Sequence, residues 1–400
     1  MSTSHRDVPA GPHRVLILGA GYAGMAAAIQ LAARTRRSDV QVTVVNARER
    51  FTERLRLHMA ATGQQLAEMN IPRLLAETGA RFERGWVTAI DAHTRTVRID
   101  DSRVLRYDTL VYGLGSVTDT AAVPGVEEHA YALDSLGGAG TLADRLARLG
   151  TGTVVVVGSG LTGVEAAAEI AERHPECLVT LVGQQDPGAN MNPKARAYLR
   201  AALTRLGVRV VTGTAVTRVR PGGVELAGAA TLAADVVLWT GGTRVTPLAT
   251  AAGLTVDDRG RVVTDPTLRS VSHPEVYAIG DAAAIRQGYG VMHGTCQSGM
   301  PTGVHAAVSI ARTLRGRRPR PFRFGYYHTP VSLGRNDAVV QFTRPDDSPR
   351  RGFLTGRTAV WYKETVSASP WPTYRRMSRL PSSGAFWPRG GRFSRLRDAR

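Results

Sequence analysis

Two short runs of branched apolar residues in this chain each end at a glycine-rich turn. The runs are Val15-Leu-Ile-Leu18 and Val154-Val-Val-Val157. Uninterrupted apolar runs of this length are typical of strands buried on both faces of a parallel sheet. The turns read Gly19-Ala-Gly21-Tyr22-Ala23-Gly24 and Gly158-Ser-Gly160-Leu161-Thr162-Gly163. An Ala-rich segment follows each turn, so the pattern predicts two strand-turn-helix units.

Further elements follow from the same alternation of apolar and polar positions. We predict a strand over residues 13–19, a helix over 22–35, a strand over 40–46 and a helix over 71–78. Runs at 87–90, 96–99 and 104–106 predict a small antiparallel meander. A strand then leads to a glycine turn at Gly115. The expected fold class is α/β, with two Rossmann-like dinucleotide-binding domains, an inserted antiparallel meander and a small C-terminal α+β region.

The later part of the chain completes this organisation. Buried strands are predicted at Val236–Trp239 and Val276–Ile279, and a helix is predicted from the Gly294–Gly303 stretch to about Leu314. We divide the chain into a disordered leader (1–12), a first nucleotide domain (13–122 and 258–315), a second nucleotide domain (123–257), a C-terminal domain (316–369) and a basic irregular tail (370–400). A short helix is predicted over 358–367. Four prolines argue against a long helix in the tail, namely Pro370, Pro372, Pro381 and Pro388.

The spacing of the glycines indicates what the two turns bind. In such a turn the first glycine permits the tight bend, the second lets the backbone approach a pyrophosphate, and the third lets helix and strand pack closely. The helix N-terminus then offers free N–H groups and a partial positive charge to the phosphates. A tight turn without a ligand explains one such motif about as well, but two in the same context favour two dinucleotides. Two bound dinucleotides imply electron transfer between them.

Charge and cysteine content narrow the possible chemistry. The formal net charge is +18, and residues 315–400 alone hold 19 Lys and Arg against 5 Asp and Glu. Such a surface can bind an anionic membrane, nucleic acid or an acidic redox partner, although an arginine-biased composition explains it as well. The two cysteines, Cys177 and Cys296, are far apart, which argues against a redox disulfide and a cysteine metal cluster. No metal site is expected, and the absence of a long apolar stretch predicts a cytoplasmic location.

The motifs and their order resemble the pyridine nucleotide-disulfide oxidoreductase superfamily, a family of flavoproteins with two dinucleotide-binding domains. Within it, the chain is most similar to the branch of type II NADH dehydrogenases and apoptosis-inducing-factor-like oxidoreductases. The resemblance implies that the first fingerprint binds FAD and the second NAD(P)H. The residues that it implies for FAD are Gly19, Gly21, Tyr22, Ala23, Gly24, Asn46, Val87, Gly115, Asp281 and Met300. Those that it implies for NAD(P)H are Gly158, Gly160, Leu161, Thr162, Gly163, Gly241 and Gly242.

Three side chains carry more specific expectations. The resemblance places the carboxylate of Asp281 on the ribityl chain of the flavin, although Asp281 can equally cap the following segment. It also places Glu165 near the nicotinamide, as the candidate catalytic residue, where the alternative is a carboxylate on a helix surface. Cys296 is interpreted as a packed small residue rather than a nucleophile.

The sequence does not distinguish NADH from NADPH as the coenzyme. The second ribose-recognition strand, Leu178–Val182, ends at Gly183, where NADH enzymes usually carry an acid. Gln184 and Gln185 follow, and neither is a base that would hold a 2′-phosphate. NADH and NADPH therefore both stay possible.

We interpret the chain as an FAD-dependent NAD(P)H oxidoreductase that passes hydride from NAD(P)H to FAD and then electrons to a quinone or another small acceptor. Two alternatives stay open: a reductase of a ferredoxin-like protein, and a flavin redox-sensing binding protein that acts through its basic tail. The expected partners are NAD(P)H and a small electron acceptor. Peripheral contact with the cytoplasmic face of a membrane through the tail and a homodimer are further expectations, and nucleic acid is not an expected partner.

Overall fold

The structure is a computed structural model that describes residues 11–396. The predicted leader therefore lies, up to residue 10, outside the described residues, as do the last four residues of the predicted tail. The strands of the described part are, in chain order, β1 (His13–Leu18), β2 (Val40–Asn46), β3 (Arg81–Arg84), β4 (Val87–Asp91), β5 (Thr96–Ile99), β6 (Arg103–Arg106), β7 (Thr109–Tyr112), β8 (Val117–Thr118), β9 (Tyr131–Ala132), β10 (Gly152–Val157), β11 (Cys177–Val182), β12 (Arg209–Val211), β13 (Val216–Arg220), β14 (Gly223–Leu226), β15 (Thr231–Ala233), β16 (Val236–Trp239), β17 (Thr243–Arg244), β18 (Val262–Val263), β19 (Val276–Ala278), β20 (Ala283–Ala284), β21 (Arg286–Gln287), β22 (Gly290–Val291), β23 (His328–Ser332), β24 (Ala338–Thr343) and β25 (Pro349–Thr355).

Helices connect and cover these strands. They are α1 (Tyr22–Thr35), α2 (Leu57–Ala60), α3 (Ile71–Ala76), α4 (Val126–His129), α5 (Leu136–Leu149), α6 (Leu161–Arg173), α7 (Pro193–Arg205), α8 (Leu248–Ala251), α9 (Cys296–Thr313), α10 (Gly356–Ala368) and α11 (Pro370–Arg379). Short 3-10 helices lie at Arg54–Arg56, Gly280–Ala282 and Pro381–Ala385.

The first sheet contains the first glycine turn. Its strand order is β19-β7-β1-β2-β3, and all four pairings are parallel. The last four residues of β1 and all of β7 are buried, as the apolar run predicts for a strand covered on both faces. Because β19 lies beside β7, the chain returns to this sheet after it has completed the second one.

The second sheet repeats this plan around the second glycine turn. Its order is β12-β11-β10-β16-β9, again with parallel pairings throughout. The predicted Val154–Val157 run lies in β10 at the centre. Two such sheets confirm the predicted α/β fold with two Rossmann-like units.

Smaller sheets confirm the other predicted parts. Strands β4, β5 and β6 form the expected antiparallel meander, and β23, β24 and β25 form the antiparallel sheet of the C-terminal region. The helix predicted over 358–367 is α10. The division of the chain into domains at 122/123 and 257/258 stays a prediction.

The prediction of an irregular tail over 370–400 is wrong for the first half of that segment. Pro370 begins α11, and a proline is tolerated in the first turn of a helix because the N–H it lacks would have no partner there. Tyr374 and Met377 of α11 are fully buried, and the Tyr374 hydroxyl donates a hydrogen bond to the backbone oxygen of Tyr22 at 2.9 Å. The segment is therefore part of the packing around α1.

The end of the described chain is attached both to the C-terminal region and to α1. The indole N–H of Trp387 donates a hydrogen bond to the backbone oxygen of Arg323 at 2.9 Å, and Gln30 of α1 donates one to the backbone oxygen of Pro381 at 2.6 Å. Helices α10 and α11 follow each other with only Ser369 between them. The C-terminal segment thus extends from the β23–β25 sheet back across α1.

Candidate functional site

The first glycine turn is a close contact between β1, β7 and α1. A Cβ atom built at Gly19 would lie 2.4 Å from the backbone oxygen of Gly113, and one built at Gly24 would lie 1.8 Å from the backbone oxygen of Gly19. Neither position can hold a side chain. At Gly21, in contrast, a Cβ atom would meet no described atom within 4 Å. The backbone is therefore closed toward the protein and open at the helix N-terminus, which is the arrangement a pyrophosphate needs.

Helix α1 begins in a way that leaves its N-terminus available to a ligand. Gly21 is the N-cap residue, no described side chain caps the helix, and no acidic residue lies in its first turn. Tyr22 and Ala23 form the start of the helix. Because the first N–H groups of a helix lack internal partners, an anion bound here would satisfy them.

Helix α9 crosses α1 at the same place. A Cβ atom built at Gly303 would lie 2.0 Å from the backbone oxygen of Ala23, so the two helices touch through their backbones. Met300 lies one turn earlier on α9 and is half-buried against the core of the first domain. Ala23 of the first fingerprint and Met300 of α9 therefore lie at the same helix crossing, and their contact with FAD stays a prediction.

Asn46 is the last residue of β2 in the first sheet, and Val87 is the first residue of β4 in the antiparallel meander. The side-chain oxygen of Asn46 accepts a hydrogen bond from the N–H of Ala20 at 3.0 Å, and its amide group donates one to the backbone oxygen of Arg48 at 2.7 Å. The backbone oxygen of Asn46 accepts a hydrogen bond from Gly85, which leads into β4 and its first residue, Val87. Asn46 therefore holds the glycine turn, and its contact with a ribose stays a prediction.

Asp281 lies in the short 3-10 helix after β19, and its carboxylate is held by the neighbouring loop. The Ser116 hydroxyl donates a hydrogen bond to Oδ2 of Asp281 at 2.8 Å. Ser116 follows Gly115, whose φ of +69° is in the left-handed region that favours glycine. A Cβ atom built at Gly294 would lie 2.1 Å from Oδ1 of Asp281, so the turn before α9 must be glycine to leave room for the carboxylate. Asp281 does not cap a helix through its side chain.

The second glycine turn has the same construction. A Cβ atom built at Gly163 would lie 1.8 Å from the backbone oxygen of Gly158, whereas one built at Gly160 meets no described atom within 4 Å. Gly160 caps α6 without a side-chain hydrogen bond, and the first two helical residues, Leu161 and Thr162, are exposed. This N-terminus can therefore hold a second pyrophosphate.

Gly183 ends β11 where a ribose-binding acid is usual, and the structure gives a reason for the glycine. A Cβ atom built at Gly183 would lie 2.4 Å from the Ser159 hydroxyl oxygen. That hydroxyl donates a hydrogen bond to the backbone oxygen of Gln185 at 2.6 Å. Ser159, which belongs to the glycine turn, thus occupies the space that a side chain at residue 183 would need.

Gly241 and Gly242 follow β16, next to the second glycine turn. The indole N–H of Trp239 donates hydrogen bonds to the backbone oxygens of Gly241 at 2.8 Å and Asp119 at 3.0 Å. Gly242 has a φ of +74°, which favours glycine. Thr240 packs on the turn itself, because a Cβ atom at Gly158 would lie 2.6 Å from its hydroxyl oxygen. The position of both glycines along the nicotinamide path stays a prediction.

Glu165 is buried, and its carboxylate has hydrogen-bond partners from other elements. It lies on α6, and its Oε1 accepts hydrogen bonds from the Lys363 ammonium group and from the N–H of Ser332 at 3.0 Å. Nδ1 of His58 lies 3.8 Å from its Oε2. The side chains of Glu165 and Lys363 are 11% and 6% exposed, so this is a buried ion pair rather than a helix-surface carboxylate.

The electrostatics of this cluster keep the carboxylate charged. Burial by itself would raise the pKa of Glu165, but Lys363, His58 and the Ser332 N–H outweigh it, and the pKa lies below its usual value. Burial lowers the pKa of His58 to about 4, so its imidazole is neutral at pH 7. Sequence reasoning did not identify Lys363 or His58. The composition offered one signal for Lys363, because the chain uses arginine for nearly all of its 51 basic residues.

The start of α9 faces the same region. Thr295 and Ser298 form a reciprocal capping box there, and Cys296 is the first helical residue. Burial raises the pKa of the Cys296 thiol to about 11, which agrees with a packed residue rather than a nucleophile. Lys363 partly opposes that shift, so its ammonium group lies within electrostatic range of the thiol. On the next element, Nδ1 of His328 lies 2.7 Å from the hydroxyl oxygen of Tyr362.

Comparison with known proteins decides the family. The family model for pyridine nucleotide-disulphide oxidoreductases matches residues 13–311, which contain both glycine turns, Glu165 and Asp281. The chain belongs to this family.

The relatives of this oxidoreductase include an NADH dehydrogenase-like protein and NADH:quinone oxidoreductases. It is 33% identical over 353 residues to an NADH dehydrogenase-like protein of Mycobacterium tuberculosis, covering 82% of this chain and 87% of that protein. It is 28% identical over 374 residues to a type II NADH:quinone oxidoreductase of Staphylococcus epidermidis, covering 85% and 92%. The structure of NDH2 from Plasmodium falciparum in complex with NADH matches with a TM-score of 0.77 at 15% identity, covering 92% of this chain and 98% of that one.

The family membership confirms the cofactors and the class of the protein. This oxidoreductase is an enzyme that uses FAD and NAD(P)H, and the two glycine turns fit those groups. The family's name refers to a disulphide, but in this chain Cys177 on β11 and Cys296 on α9 are both free. Within residues 11–396 no helix is long and apolar enough to cross a membrane, and no group of three or more His, Cys, Asp and Glu side chains is placed to hold a metal ion.

Proposed function

We propose that this oxidoreductase passes the electrons of NAD(P)H to a quinone. The observation that supports a quinone most directly is the buried cluster of Glu165, Lys363 and His58. Reduction of a quinone to a quinol consumes two protons with two electrons, whereas a ferredoxin takes an electron alone. A buried group that can hold a proton therefore assists the reduction of a quinone and has no role in the reduction of a ferredoxin.

The bound cofactor would supply the redox chemistry, since flavin accepts hydride from a nicotinamide and gives electrons to a second substrate. The chain positions the groups around it. The two glycine turns hold the pyrophosphates, Asp281 and Asn46 orient the sugar groups, and Glu165 fixes the ammonium group of Lys363 beside the N-terminus of α9. Because the two cysteines cannot form a dithiol relay, the acceptor must reach the flavin directly.

In this proposal Lys363 is the residue that gives a proton to the acceptor, and Glu165 holds its side chain in place. Lys363 lies on α10, which faces Cys296 at the start of α9. The half-exposed Tyr327 has a pKa that burial, Cys296 and Tyr362 raise to about 12. A neutral phenol and an ammonium group, each within electrostatic range of Cys296, suit a quinone, which carries two carbonyl oxygens that accept hydrogen bonds.

The test is anaerobic stopped-flow reduction with NADH and with NADPH, followed by a panel of acceptors. We expect the flavin absorbance to bleach with at least one coenzyme and to recover on addition of a soluble quinone. A reduced enzyme that returns electrons to ferredoxin but to no quinone would refute the proposal. The same experiment determines the preferred coenzyme.

We also propose that the α10–α11 side of the molecule contacts an anionic lipid surface. Trp361, Leu380 and Phe386 are 71%, 61% and 87% exposed there, beside the arginines of α11. Exposed aromatic and basic side chains together are typical of proteins bound at a membrane surface. Co-sedimentation with phosphatidylglycerol vesicles but not with phosphatidylcholine vesicles is expected, and Phe386→Ser should weaken it. Equal binding to both vesicle types would contradict an electrostatic contribution.

A ferredoxin-like acceptor is the second candidate, because the net charge of +18 would steer an acidic protein toward the enzyme. This candidate predicts reduction of a ferredoxin that falls steeply as salt is added. Reduction of soluble quinones would then be absent.

A further inference from the structure

Helix α6 carries two more carboxylates on the face that holds Glu165. Glu169 is four residues further along and Glu172 is seven, so all three lie on one side of the helix. This side is covered by α2, by β23 and by the turn between β23 and β24. From Glu165 to Glu172 the row leads from the buried ion pair to a half-buried position.

Glu169, in the middle of this row, is completely buried. Its Oε1 accepts a hydrogen bond from the side chain of Gln64, which follows α2. Its Oε2 has no hydrogen-bond partner among the described residues. A buried carboxyl oxygen without a partner is costly for the free energy of folding, and the cost is smallest when the group is protonated.

A second buried atom without a partner lies on the facing helix. Nε2 of His58 on α2 makes no hydrogen bond to the described residues, while its Nδ1 faces Glu165. Arg335, in the turn after β23, is close enough to lower the pKa of His58 and to oppose the rise in the pKa of Glu169. Arg335 therefore lies within electrostatic range of both His58 and Glu169.

The outer end of the row is open to solvent. Glu172 is half-buried, and its Oε2 accepts a hydrogen bond from the backbone N–H of Arg335 at 2.6 Å. A Cβ atom at Gly334 would lie 2.6 Å from Oε1 of Glu172, so the turn makes room for this carboxylate. The charged groups within electrostatic range of Glu169 are Arg335 in the β23–β24 turn and Glu172 and Arg173 on α6, and Glu165 lies one turn earlier on the same face of the helix.

We propose that Glu169 relays protons from Glu172 at the surface to the Glu165–Lys363 pair. The proposal rests on the proposed quinone reductase function. Overall, one NAD(P)H, one proton and one quinone give NAD(P)⁺ and a quinol, so the hydride supplies both electrons and one hydrogen. The remaining proton comes from solvent. It reaches Glu169 from Glu172, and the proton of Glu169 restores the one that Lys363 has given to the acceptor.

Burial raises the pKa of Glu169, and Arg335 and Gln64 only partly counter this. The residue can therefore hold a proton nearer to neutral pH than an exposed glutamate can. A purely structural glutamate would need only its bond to Gln64, which glutamine could also accept. The relay requires the exchangeable proton of Glu169 for quinone turnover, whereas a structural role does not.

The experiment compares two acceptors in the FAD-loaded Glu169→Gln enzyme. A soluble quinone takes protons with its electrons, whereas ferricyanide takes electrons alone. We expect kcat with the quinone to fall about tenfold or more, in the range typical of lost acid–base assistance. Bleaching by NAD(P)H and the ferricyanide rate should stay as in wild type, and the D₂O isotope effect on quinone turnover should rise. Glu176→Gln, a change at an exposed carboxylate beyond α6, is the matched control.

Glu172→Gln provides a second variant, with a smaller loss expected because the half-buried outer end of the row stays in contact with solvent when its carboxyl group is replaced. Unchanged quinone turnover in Glu169→Gln would overturn the relay, as would an equal fall with both acceptors. Flavin absorbance per chain checks that each variant has folded. If wild-type enzyme bleaches with NAD(P)H but reduces no quinone, the proposed acceptor fails, and the relay fails with it.

Discussion

Removal of the Lys363 charge should destabilise the enzyme by an amount that depends on pH. In Lys363→Met the Glu165 carboxylate remains buried without its cation, and its pKa must rise. The protein can limit the penalty by protonating that carboxyl group. At pH 7 the free energy of unfolding falls by about 1.4 kcal/mol for each unit by which the folded pKa of Glu165 exceeds an ordinary glutamate pKa of about 4.3. Because the carboxyl group is protonated once this pKa passes the pH, the loss has a ceiling of roughly 4 kcal/mol.

The sign follows from the direction of the shift. With its folded pKa above the unfolded value, Glu165 in the variant binds a proton more readily in the folded state, so the penalty grows as pH rises. It should shrink to about 1 kcal/mol at pH 5. In wild type the pKa is lowered instead, so the contribution of Glu165 is present at neutral pH and is lost as pH falls through its folded pKa.

The assay is urea unfolding at pH 7 and pH 5, followed by tryptophan fluorescence, for wild type, Lys363→Met, Glu165→Gln and the double variant. The double variant should recover most of the loss, because replacing both members of a buried pair removes the uncompensated charge. A penalty of the same size at both pH values would refute the reasoning, and so would a double variant as unstable as the sum of the single ones.

Three further predictions concern the cofactor, acid and the C-terminus. Gly24→Ala should abolish FAD binding, read from absorbance at the flavin band, because its Cβ would lie 1.8 Å from a backbone oxygen, whereas Gly21→Ala should fold and bind FAD more weakly. Burial lowers the pKa of His305 and His328 to about 4, so the free energy of unfolding should fall by about 3 kcal/mol for each histidine as the pH falls from about 6.5 to 4. Circular dichroism against pH checks this loss. Stability that is unchanged down to about pH 4 would contradict it. Truncation after residue 369 removes the fully buried Tyr374 and should lower the melting temperature and the FAD content, whereas full retention of FAD would show that α11 is dispensable.

The prediction that succeeded most fully was the fold. Buried strands of a parallel sheet have no face in contact with solvent. An apolar run such as Val154–Val157 therefore predicts such a strand without any knowledge of the partner strands. The glycines are equally local signals, since Gly19 and Gly24 contact the same turn. These parts of the structure depend on residues close together in the sequence.

The candidate site could be predicted only in part. Glu165 was found through its motif, but its partner Lys363 is 198 residues away, and no spacing rule connects α6 with α10. The irregular tail was a different error. Pro370 and Pro372 were interpreted as breaks, although prolines in the first turn start a helix, and the sequence did not reveal that Tyr374 would pack on α1.

The contact between Gly183 and Ser159 limits how this enzyme can acquire a strict coenzyme preference. Adding an acid at residue 183 to favour NADH places its first carbon against the Ser159 oxygen, so that single step should damage the turn before it improves selectivity. A mutational path toward strict NADH use must therefore remove the Ser159 side chain and also shift the backbone of residue 159, since the Ser159 nitrogen would lie 2.9 Å from the new Cβ atom. A library that varies residue 183 alone should therefore yield no selective enzyme.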